Sequence, residues 1–318
     1  IEIVARPGNG RLAVEALERL RVDVTVLDIE MPVLDGLTAL PLLLKAQPGL
    51  RVIMASTLTT RAAEVTLRAL QLGAIDYVPK PTALGNSDAE SFARELLRKI
   101  KGLMLPGPSG SRPGPSLRPR PHRPPCLLAI GCSTGGPQAL LALARDLGTK
   151  LPVPVVMTQH MPAMFTTILA QNITRQGGAP CAEAREGERL IPGRIYLAPG
   201  DRHLLVEGEP SQLRARLSDA PPMHFCRPAV DRMLISASSA CPAGVLALML
   251  TGMGQDGLLG TRAIVEGGGS AIAQDEASSV VWGMPGAVAQ AGLCHAVLPL
   301  DQIAPKVLEL LNGDKPDR

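Results

Sequence analysis

The stretch CLLAIGCSTGGPQALLAL, residues 126–143, decides how the second half of this chain folds. Its first apolar residues predict a buried strand, Gly135 and Gly136 predict a tight turn, and the apolar residues that follow predict a helix. A strand that leads through a short turn into a helix is the repeating unit of a parallel α/β sheet. The turn places Ser133 at the carboxyl end of its strand, the edge at which open α/β sheets bind ligands.

The alternation of strands and helices extends over most of the chain. Apolar runs predict strands, and apolar residues spaced three or four apart predict the helices between them. Residues 202–217 differ and predict an antiparallel hairpin with its turn at 208–211. The candidate strands are 22–27, 51–55, 75–78, 126–131, 154–159, 194–198, 245–250 and 270–274, and the candidate helices are 11–20, 36–46, 61–72, 90–104, 136–146, 163–175, 228–239, 257–266 and 301–312.

A proline-rich segment separates the two halves. Eight of the 30 prolines fall in residues 106–125, and proline lacks a backbone donor, so we expect an extended linker or, less simply, a ligand for a partner domain. We divide the chain into domains at 1–104 and 126–314, joined by a linker at 105–125. The net charge is +3, and the linker's four arginines account for that excess. No clustered basic face is expected, which argues against a nucleic-acid-binding domain.

The sequence predicts neither membrane insertion nor secretion. No run approaches the roughly 18 consecutive apolar residues of a transmembrane helix, and no charged-then-apolar leader is present at the start. The six cysteines form no CxxC pair. We therefore expect a cytoplasmic protein in a reducing environment, with most of its cysteines present as free buried thiols.

Three polar side chains stand at strand ends in the first half. Asp28 follows a strand within VLDIEMPVLDG at 26–36, Ser56 ends the second strand, and Lys80 follows the third within DYVPKP at 76–81. A phosphoryl group on Asp28 would need such partners, because a hydroxyl and an ammonium hold its oxygens and a hard divalent cation balances its charge. Taken singly, Asp28 could instead cap the following helix, and Lys80 could be a solvated charge.

Two further strand ends supply a candidate base for Ser133 and a partner for that base. His160 follows the strand at 154–159, and Asp256 follows the strand at 245–250 between glycines. A serine, a histidine and an acid in these roles form a catalytic triad. Each also has a simpler explanation: the glycine turn could bind phosphate, the histidine could be structural, and the acid could cap a helix. The chain order Ser, His, Asp differs from that of the α/β-hydrolases.

The first half resembles the response-regulator receiver domain, a flavodoxin-like fold, over the whole of the first domain. The resemblance implies that Asp28 accepts a phosphoryl group and that the backbone carbonyl of Glu30 joins Asp28 in binding Mg²⁺. It also makes Ser56 the hydroxyl that follows the phosphate, Tyr77 the aromatic residue that changes rotamer, and Lys80 the lysine that binds the phosphate.

The receiver resemblance is incomplete at its front. Receivers begin with a strand that ends in an acidic pair, followed by a helix, whereas this sequence starts at Ile1 in what resembles the second strand. We therefore expect an N-terminally truncated receiver that lacks its first strand and helix. In the 2-1-3-4-5 strand order of this fold, residues 1–5 should then lack a partner, and one edge of the strand at 22–27 should be bare. Because the missing acids are the main Mg²⁺ ligands, we expect poor phosphorylation.

Five motifs of the second half resemble, in order, the catalytic domain of the chemotaxis protein-glutamate methylesterases, the CheB family. The resemblance covers residues 126–312 and implies a doubly wound, mainly parallel α/β domain. It makes Ser133 the nucleophile, His160 the general base and Asp256 the acid that orients the base. The motifs are IGCSTGGPQAL (130–140), TQHMPAMFT (158–166), FCRPAVD (225–231), TGMGQDG (251–257) and QDEASSVVWGMPGA (274–287).

The same resemblance identifies two positions that support the transition state, Thr134 and the backbone N–H of Met253. Cys132 and Gln255 depart from the family pattern, which usually has a small residue such as Ala at the first position and Asn or Arg at the second. Cys132 is adjacent to the predicted nucleophile. Two neighbouring side chains at a strand end point in opposite directions, so only one of them can face His160.

The resemblance implies an enzyme of chemotaxis adaptation. It would hydrolyse glutamyl methyl esters on methyl-accepting chemoreceptors, release methanol and deamidate specific receptor glutamines. No cofactor is expected for this chemistry, and Mg²⁺ only for phosphorylation of the receiver by a chemotaxis histidine kinase. The unphosphorylated receiver would pack over the esterase site. Two other classes remain: a phospho-signalling adaptor with an inactive hydrolase domain, and a transcriptional regulator, for which no basic helix-turn-helix domain is visible.

Overall fold

The chain forms two compact α/β units that divide between Leu105 and Pro106. Both contain a parallel sheet, as the alternation of strands and helices predicts. Within the residues whose placement is known, no helix is long and apolar enough to cross a membrane. The computed structural model describes residues 1–81, 86–104, 116–119, 123–149 and 151–313.

The first unit is built on a three-stranded parallel sheet. Its strands are β1 (Val24–Asp28), β2 (Arg51–Ser56) and β3 (Asp76–Pro79), and its helices are α1 (Gly10–Leu17), α2 (Gly36–Ala46), α3 (Thr60–Gln71) and α4 (Asn86–Met104). The strand order is β1-β2-β3. Ile53 and Met54 of β2 are fully buried with Leu40 of α2 and Leu67 of α3. Each such side chain contributes about 1.5–3 kcal/mol when buried, which holds the helices on the sheet.

Local hydrogen bonds set where three of these helices begin. The side chains of Asn9, Asp35 and Thr59 each accept a hydrogen bond from a backbone N–H in the first turn of α1, α2 and α3, respectively. A cap of this kind contributes about 1 kcal/mol. Helix α2 begins directly after its cap and continues through Pro41. Pro41 within the predicted helix at 36–46 indicated either a kink or a late start, and the observed start at Gly36 rules out the late start.

The front of the first unit has an uncovered sheet edge. Residues 1–7 are exposed and form no strand, and within the described part of the chain β1 has a neighbour on one side only, with Val26 41% exposed. A further strand would cover this side chain and pair with this edge. The expectation that residues 1–5 lack a partner and that β1 has a bare edge is confirmed.

The second unit contains a seven-stranded sheet and a separate hairpin. The sheet strands are β4 (Leu127–Cys132), β5 (Val155–Gln159), β6 (Cys181–Glu183), β7 (Ile195–Leu197), β10 (Val245–Met249), β11 (Ser270–Gln274) and β12 (Ala296–Leu298). The hairpin pairs β8 (His203–Glu207) with β9 (Arg214–Ser218). The helices are α5 (Gly136–Leu147), α6 (Ala163–Arg175), α7 (Val230–Ala240), α8 (Leu258–Glu266), α9 (Met284–Gln290) and α10 (Leu300–Asn312).

The order of the seven strands creates a switch point beside β4. The order is β12-β11-β10-β4-β5-β7-β6, and all neighbours are parallel. The chain proceeds from β4 toward β6 on one side and later from β10 toward β12 on the other. The doubly wound fold is confirmed. Ligands of such sheets bind beyond the carboxyl ends of the strands at the switch point, here between β4 and β10.

Three short elements of the second unit are missing from the sequence predictions. Strands β6 and β12 have three residues each, too few to establish a period of two. Helix α9 contains Pro285 and Gly286 in its first turn, and both residues weaken a helical prediction. These elements form because the neighbouring strands and helices hold them.

The cysteines differ in part from expectation. Cys126 and Cys241 are joined as a disulfide, so these two are exceptions to the free thiols expected for most of the six cysteines. Their segments meet at one end of the sheet, where the N–H of Cys126 donates to the carbonyl oxygen of Gly244 at 2.8 Å. The other four cysteines, which are free thiols, are Cys132, Cys181, Cys226 and Cys294.

Candidate active site

Ser133 lies in the turn between β4 and α5. Its N–H donates to the carbonyl oxygen of Thr251 at 3.0 Å, and its own carbonyl oxygen accepts from the N–H of Gly136 at 2.7 Å. Gly135 has a φ of +77°, in the left-handed region that favours glycine. A Cβ on Gly136 would overlap the side chain of Gln159. The sharp turn therefore requires both glycines, and it leaves Ser133 7% exposed.

His160 lies beside Ser133 because β4 and β5 are neighbouring strands, spaced by about 4.8 Å. Cys132 is opposite Gln159 in the register of these strands, and the N–H of His160 donates to the carbonyl oxygen of Cys132 at 3.3 Å. The Gln159 Nε2 donates to the carbonyl oxygens of Ser133 at 3.0 Å and His160 at 3.1 Å. These bonds hold the predicted nucleophile and base at adjacent strand ends.

Asp256 is buried and accepts hydrogen bonds from His160 and from the start of α7. Its Oδ2 lies 2.7 Å from His160 Nε2 and accepts from the N–H of Val230 at 2.7 Å, and its Oδ1 accepts from the N–H of Asp231 at 2.9 Å. Burial alone would raise the pKa of Asp256. The hydrogen bond and charge of His160, with the backbone donors, outweigh burial and hold this pKa below its usual value.

One ring nitrogen of His160, Nε2, is hydrogen-bonded to Asp256, and the other, Nδ1, lies beside the Sγ of Cys226. An ionised carboxylate only accepts hydrogen bonds, so Nε2 carries a proton and Nδ1 is the nitrogen that can accept one. Burial lowers the pKa of His160. The hydrogen bonds to Asp256 and Cys226, and the charges of these two groups, outweigh burial and raise it to about 9. Asp256 therefore both orients the ring and stabilises its protonated form.

Sequence reasoning did not assign a role to three residues that the fold brings to this site. The Sγ of Cys226 lies 3.5 Å from His160 Nδ1. His224 Nε2 lies 2.9 Å from Asp231 Oδ2, and the backbone N–H of Asp231 already bonds Asp256. The motif FCRPAVD contains two of these residues, Cys226 and Asp231, but only tertiary contacts show that they lie around His160 and Asp256.

One cluster of potential metal ligands occurs within the described part of the chain. It consists of His224, Asp231 and Asp256, whose ligand atoms lie within 4.8 Å of one another. Hydrogen bonds account for the arrangement. Asp231 Oδ1 accepts from the N–H of Gly260 at 2.7 Å and Oδ2 pairs with His224, while both oxygens of Asp256 are occupied by backbone donors and His160.

The two predicted supporting positions lie around Ser133. Thr134 is buried, and its carbonyl oxygen accepts from Thr251 Oγ1 at 2.9 Å. A Cβ on Gly252 would come within 3.0 Å of the Ser133 nitrogen, so the segment that leads to Met253 passes directly against Ser133. Among the described residues, the Met253 N–H has no hydrogen-bond acceptor. This N–H can therefore serve a substrate oxygen.

Cys132, the residue before Ser133, is engaged in the interior. It is fully buried, and its Sγ lies 3.0 Å from the side-chain oxygen of Gln159. Burial raises the pKa of the Cys132 thiol far above its usual value, so the reactive thiolate form is disfavoured. Cys132 is therefore a poor candidate nucleophile.

The predicted phosphorylation site in the first unit is a cavity of about 500 Å³ at the ends of β1, β2 and β3. Lys80 Nζ lies 2.6 Å from Asp28 Oδ1, and the N–H of Glu30 donates to the same oxygen at 3.1 Å. Thr57 and Thr59 add hydroxyl groups to the lining. The structure therefore brings Asp28, Glu30 and Lys80 together, as predicted.

Ser56 and Tyr77, the predicted switch residues, are turned away from that cavity. Ser56 is buried, and its hydroxyl accepts from Thr66 Oγ1 at 2.7 Å. Tyr77 is 5% exposed with the Lys99 ammonium 5.6 Å from its ring centre. Burial, then the charge of Asp76, raises the pKa of Tyr77 well above its usual value. Neither side chain is part of the cavity lining.

Comparison with known proteins assigns both units. The family model for the CheB methylesterase matches residues 128–307, and the model for the response regulator receiver domain matches residues 1–87. The chain belongs to the CheB methylesterase family. Within this CheB-family chain, the methylesterase match contains Ser133, His160 and Asp256, and the receiver match contains Asp28 and Lys80.

Similar proteins span both units of the CheB-family chain. It is 50% identical to the protein-glutamate methylesterase/protein-glutamine glutaminase 1 of Paramagnetospirillum magneticum over 98% of this chain and 89% of that protein. It is also 50% identical to the protein-glutamate methylesterase/protein-glutamine glutaminase of Azospirillum brasilense, over 96% and 85%. The crystal structure of the Thermotoga maritima CheB methylesterase catalytic domain matches with a TM-score of 0.57 and 37% identity, over 58% of this chain and 98% of that one.

Proposed function

We propose that this chain hydrolyses glutamyl methyl esters on the cytoplasmic domains of methyl-accepting chemoreceptors and deamidates specific receptor glutamines. The observation that carries the proposal is the position in which hydrogen bonds hold His160. Its Nε2 is held 2.7 Å from Asp256, and its backbone is bonded to the strand end that carries Ser133. The names of the curated relatives describe both activities. The proposed place of action is the cytoplasm, where such receptor domains lie.

In the proposed reaction, Ser133 Oγ attacks the ester carbonyl carbon and its proton passes to His160 Nδ1. The protonated imidazole then donates this proton to the departing oxygen, so that methanol leaves and a glutamyl ester of Ser133 remains. Water then attacks this ester as Nδ1 takes its proton, and the imidazole passes that proton to Ser133 Oγ as the bond to the acyl group breaks and glutamate is released. Asp256 stays ionised throughout and stabilises the charged imidazole.

The negative oxygen of each tetrahedral intermediate needs donors that are already in position. We assign one of them to the Met253 N–H, since Gly252, the residue before it, lies against Ser133. The start of α5 supplies the positive end of a helix dipole beside Ser133. We propose that Thr134 also helps to stabilise the negative oxygen. A single preorganised donor of this kind contributes about 3–4 kcal/mol to transition-state stabilisation.

Deamidation requires the same groups. A glutamine side chain presents its carbonyl carbon to Ser133 as an ester does, and His160 protonates the departing nitrogen so that ammonia leaves. Both substrates form the same glutamyl ester of Ser133, and water releases the same product, glutamate. One site therefore supports both reactions without a cofactor.

We also propose that Asp28 accepts a phosphoryl group from a chemotaxis histidine kinase and that this event raises esterase activity. Lys80 is already 2.6 Å from Asp28 and can hold a phosphoryl oxygen. After phosphorylation, the Ser56 hydroxyl would move toward the phosphoryl group and Tyr77 would change rotamer. Mg²⁺ prefers oxygen ligands and retains several waters. Asp28 and the Glu30 carbonyl fit that preference as two ligands, and bound Mg²⁺ would balance the charge of the phosphoryl group.

Methanol release from a methylated receptor fragment tests both proposals. The wild-type chain and Ser133→Ala are compared with and without Mg²⁺ and a small phosphodonor. The proposal expects release by the wild type only. A several-fold increase with phosphodonor would support control through Asp28, and no increase would indicate an esterase with an uncoupled receiver. Absence of release from a folded wild-type chain would favour the adaptor class instead.

A further inference from the structure

An exposed aromatic side chain, Phe225, directly precedes Cys226, whose Sγ lies 3.5 Å from His160 Nδ1. Phe225 has a relative exposure of 103%, so its ring contacts nothing in the described structure. The chain has only three phenylalanines, and Phe165 is fully buried. Scattered aliphatic side chains at a surface are ordinary. A large aromatic ring without any packing beside a catalytic residue calls for an explanation.

The backbone holds this ring outward at a conformational cost. Met223 and Cys226 exchange both backbone hydrogen bonds, at 3.1 and 2.9 Å, so His224 and Phe225 form a two-residue turn. Their φ values are +53° and +62°. Such a turn favours residues such as Asn and Gly at its centre, and positive φ is strained for a bulky side chain. His-Phe is therefore a poor choice for folding alone.

Contacts with the catalytic groups maintain the strained turn. On one side of Phe225, His224 Nε2 pairs with the buried Asp231 at 2.9 Å. On the other side, Cys226 Sγ lies 3.5 Å from His160 Nδ1. Strained residues persist where the surroundings over-determine them, and they concentrate at functional sites. The backbone of the turn is thus fixed relative to His160, and Phe225 is presented from a fixed point of that backbone.

We propose that Phe225 is a substrate-docking residue that packs against apolar side chains of the helix that carries the modified glutamate. This inference rests on the proposed function and adds how the protein substrate is held. Adjacent Cα atoms are about 3.8 Å apart, and Cys226 Sγ lies 3.5 Å from His160 Nδ1, so Phe225 is one residue away from a side chain that contacts the proposed base. One helical turn is about 5.4 Å. We therefore expect Phe225 to contact residues one or two turns from the glutamyl side chain.

The chemistry of the ring agrees with a protein partner. Aromatic side chains are enriched among the residues that dominate binding energy at protein interfaces, and they act by filling an apolar depression on the partner. An amphipathic helix offers such depressions between residues three and four apart. A small ester lacks this surface. Phe225 should therefore matter for a helical protein substrate and little for a small molecule.

The first test compares kcat/KM for a methylated receptor fragment with that for N-acetylglutamate γ-methyl ester. In Phe225→Ala, the ratio of the two should fall about tenfold or more, mainly through a higher KM for the fragment. Phe225→Leu should restore most of the ratio because it keeps an apolar side chain. Ile191→Ala, at an exposed position near β7, is the matched control and should leave the ratio unchanged.

The unfolding temperature of Phe225→Ala should not fall, because the ring buries no surface in the free chain. An unchanged ratio would overturn the inference. So would an equal loss on both substrates, which would show that the ring only positions His160. A gain on both substrates would show that the ring covers the site, and loss of a dimer in sedimentation would assign it to a second copy. If the wild-type chain cleaves the small ester but not the receptor fragment, the proposed function is wrong, whatever the Phe225 variants do.

A second readout does not depend on turnover. With p-benzoylphenylalanine at position 225 in a Ser133→Ala chain, irradiation with the methylated fragment should produce a crosslink one or two turns from the modified glutamate. The same group at position 191 should produce none. A crosslink at an unrelated part of the fragment would contradict the proposed contact.

Discussion

Raising the pH from 7 to 9 is expected to increase kcat/KM for ester hydrolysis about 50-fold, because His160 must lose a proton before it acts as a base. The pKa of His160 is about 9. Roughly 1% of the imidazole is then neutral at pH 7 and about half at pH 9. Below pH 8, kcat/KM should increase about tenfold per pH unit, and it should level off above pH 9.

The magnitude follows from the contacts of the ring. Burial by itself would bring the pKa of His160 below its ordinary value of 6.5, and the enzyme would then be fully active at pH 7. The hydrogen bond to Asp256 at 2.7 Å and the contact with Cys226 at 3.5 Å reverse this effect. The pH profile therefore measures how strongly the two partners oppose burial.

The assay uses N-acetylglutamate γ-methyl ester amide, which has no titrating group in this range, and records methanol release from pH 6 to pH 10. Spontaneous hydrolysis is measured with Ser133→Ala and subtracted. Circular dichroism at each pH establishes that the chain stays folded. A profile that is already level at pH 7.5 would refute the reasoning, because it would place the pKa of His160 near its ordinary value.

The same pKa predicts a change in stability with pH. The folded-state pKa of His160 lies above its unfolded value of about 6.5. Protonation of His160 therefore stabilises the fold fully below about pH 6.5, and this contribution is lost as the pH rises through about 9. The unfolding temperature should decrease between pH 7 and 9, and less so in His160→Gln. An equal decrease in both chains would contradict this assignment.

Three substitutions near the base extend the test. Asp256→Asn should reduce kcat by about 10³–10⁴ and abolish the increase above pH 7, because an amide cannot stabilise the charged ring of His160; the pH profile checks both. Cys226→Ala should move the increase to lower pH, since one contact that raises the pKa of His160 is lost; an unchanged midpoint would contradict this. Gly136→Ala should destabilise the fold by about 1–3 kcal/mol, because its methyl group would displace Gln159; denaturant unfolding measures the loss.

Much of the architecture could be predicted because it depends on local patterns. Helices α2 and α6 and strand β11 have the predicted bounds, since each has a clear period and a clear boundary signal. Parallel strands share one carboxyl edge, so the strand-end positions of Ser133 and His160 sufficed to predict that the two residues lie at neighbouring strand ends. The same argument brought Asp28 and Lys80 together.

Other features depend on contacts between distant segments, which local patterns do not contain. The strand β6 forms through pairing with β7, and the disulfide of Cys126 and Cys241 joins residues 115 apart in sequence. The turn that carries Phe225 has no glycine or asparagine at its centre, so no sequence signal indicated it. Contacts of His224 and Cys226 with buried groups hold it instead.

By itself, the sequence determined the two α/β domains, the order of their strands and helices, and the residue types at the strand ends. These follow from periodicity and from turn chemistry over a few neighbouring residues. Only the tertiary structure decided which nitrogen of His160 faces Asp256, which thiol lies beside the other nitrogen, and where Phe225 points. These depend on burial and on hydrogen bonds between segments up to 96 residues apart, and such contacts exist only after the chain has folded.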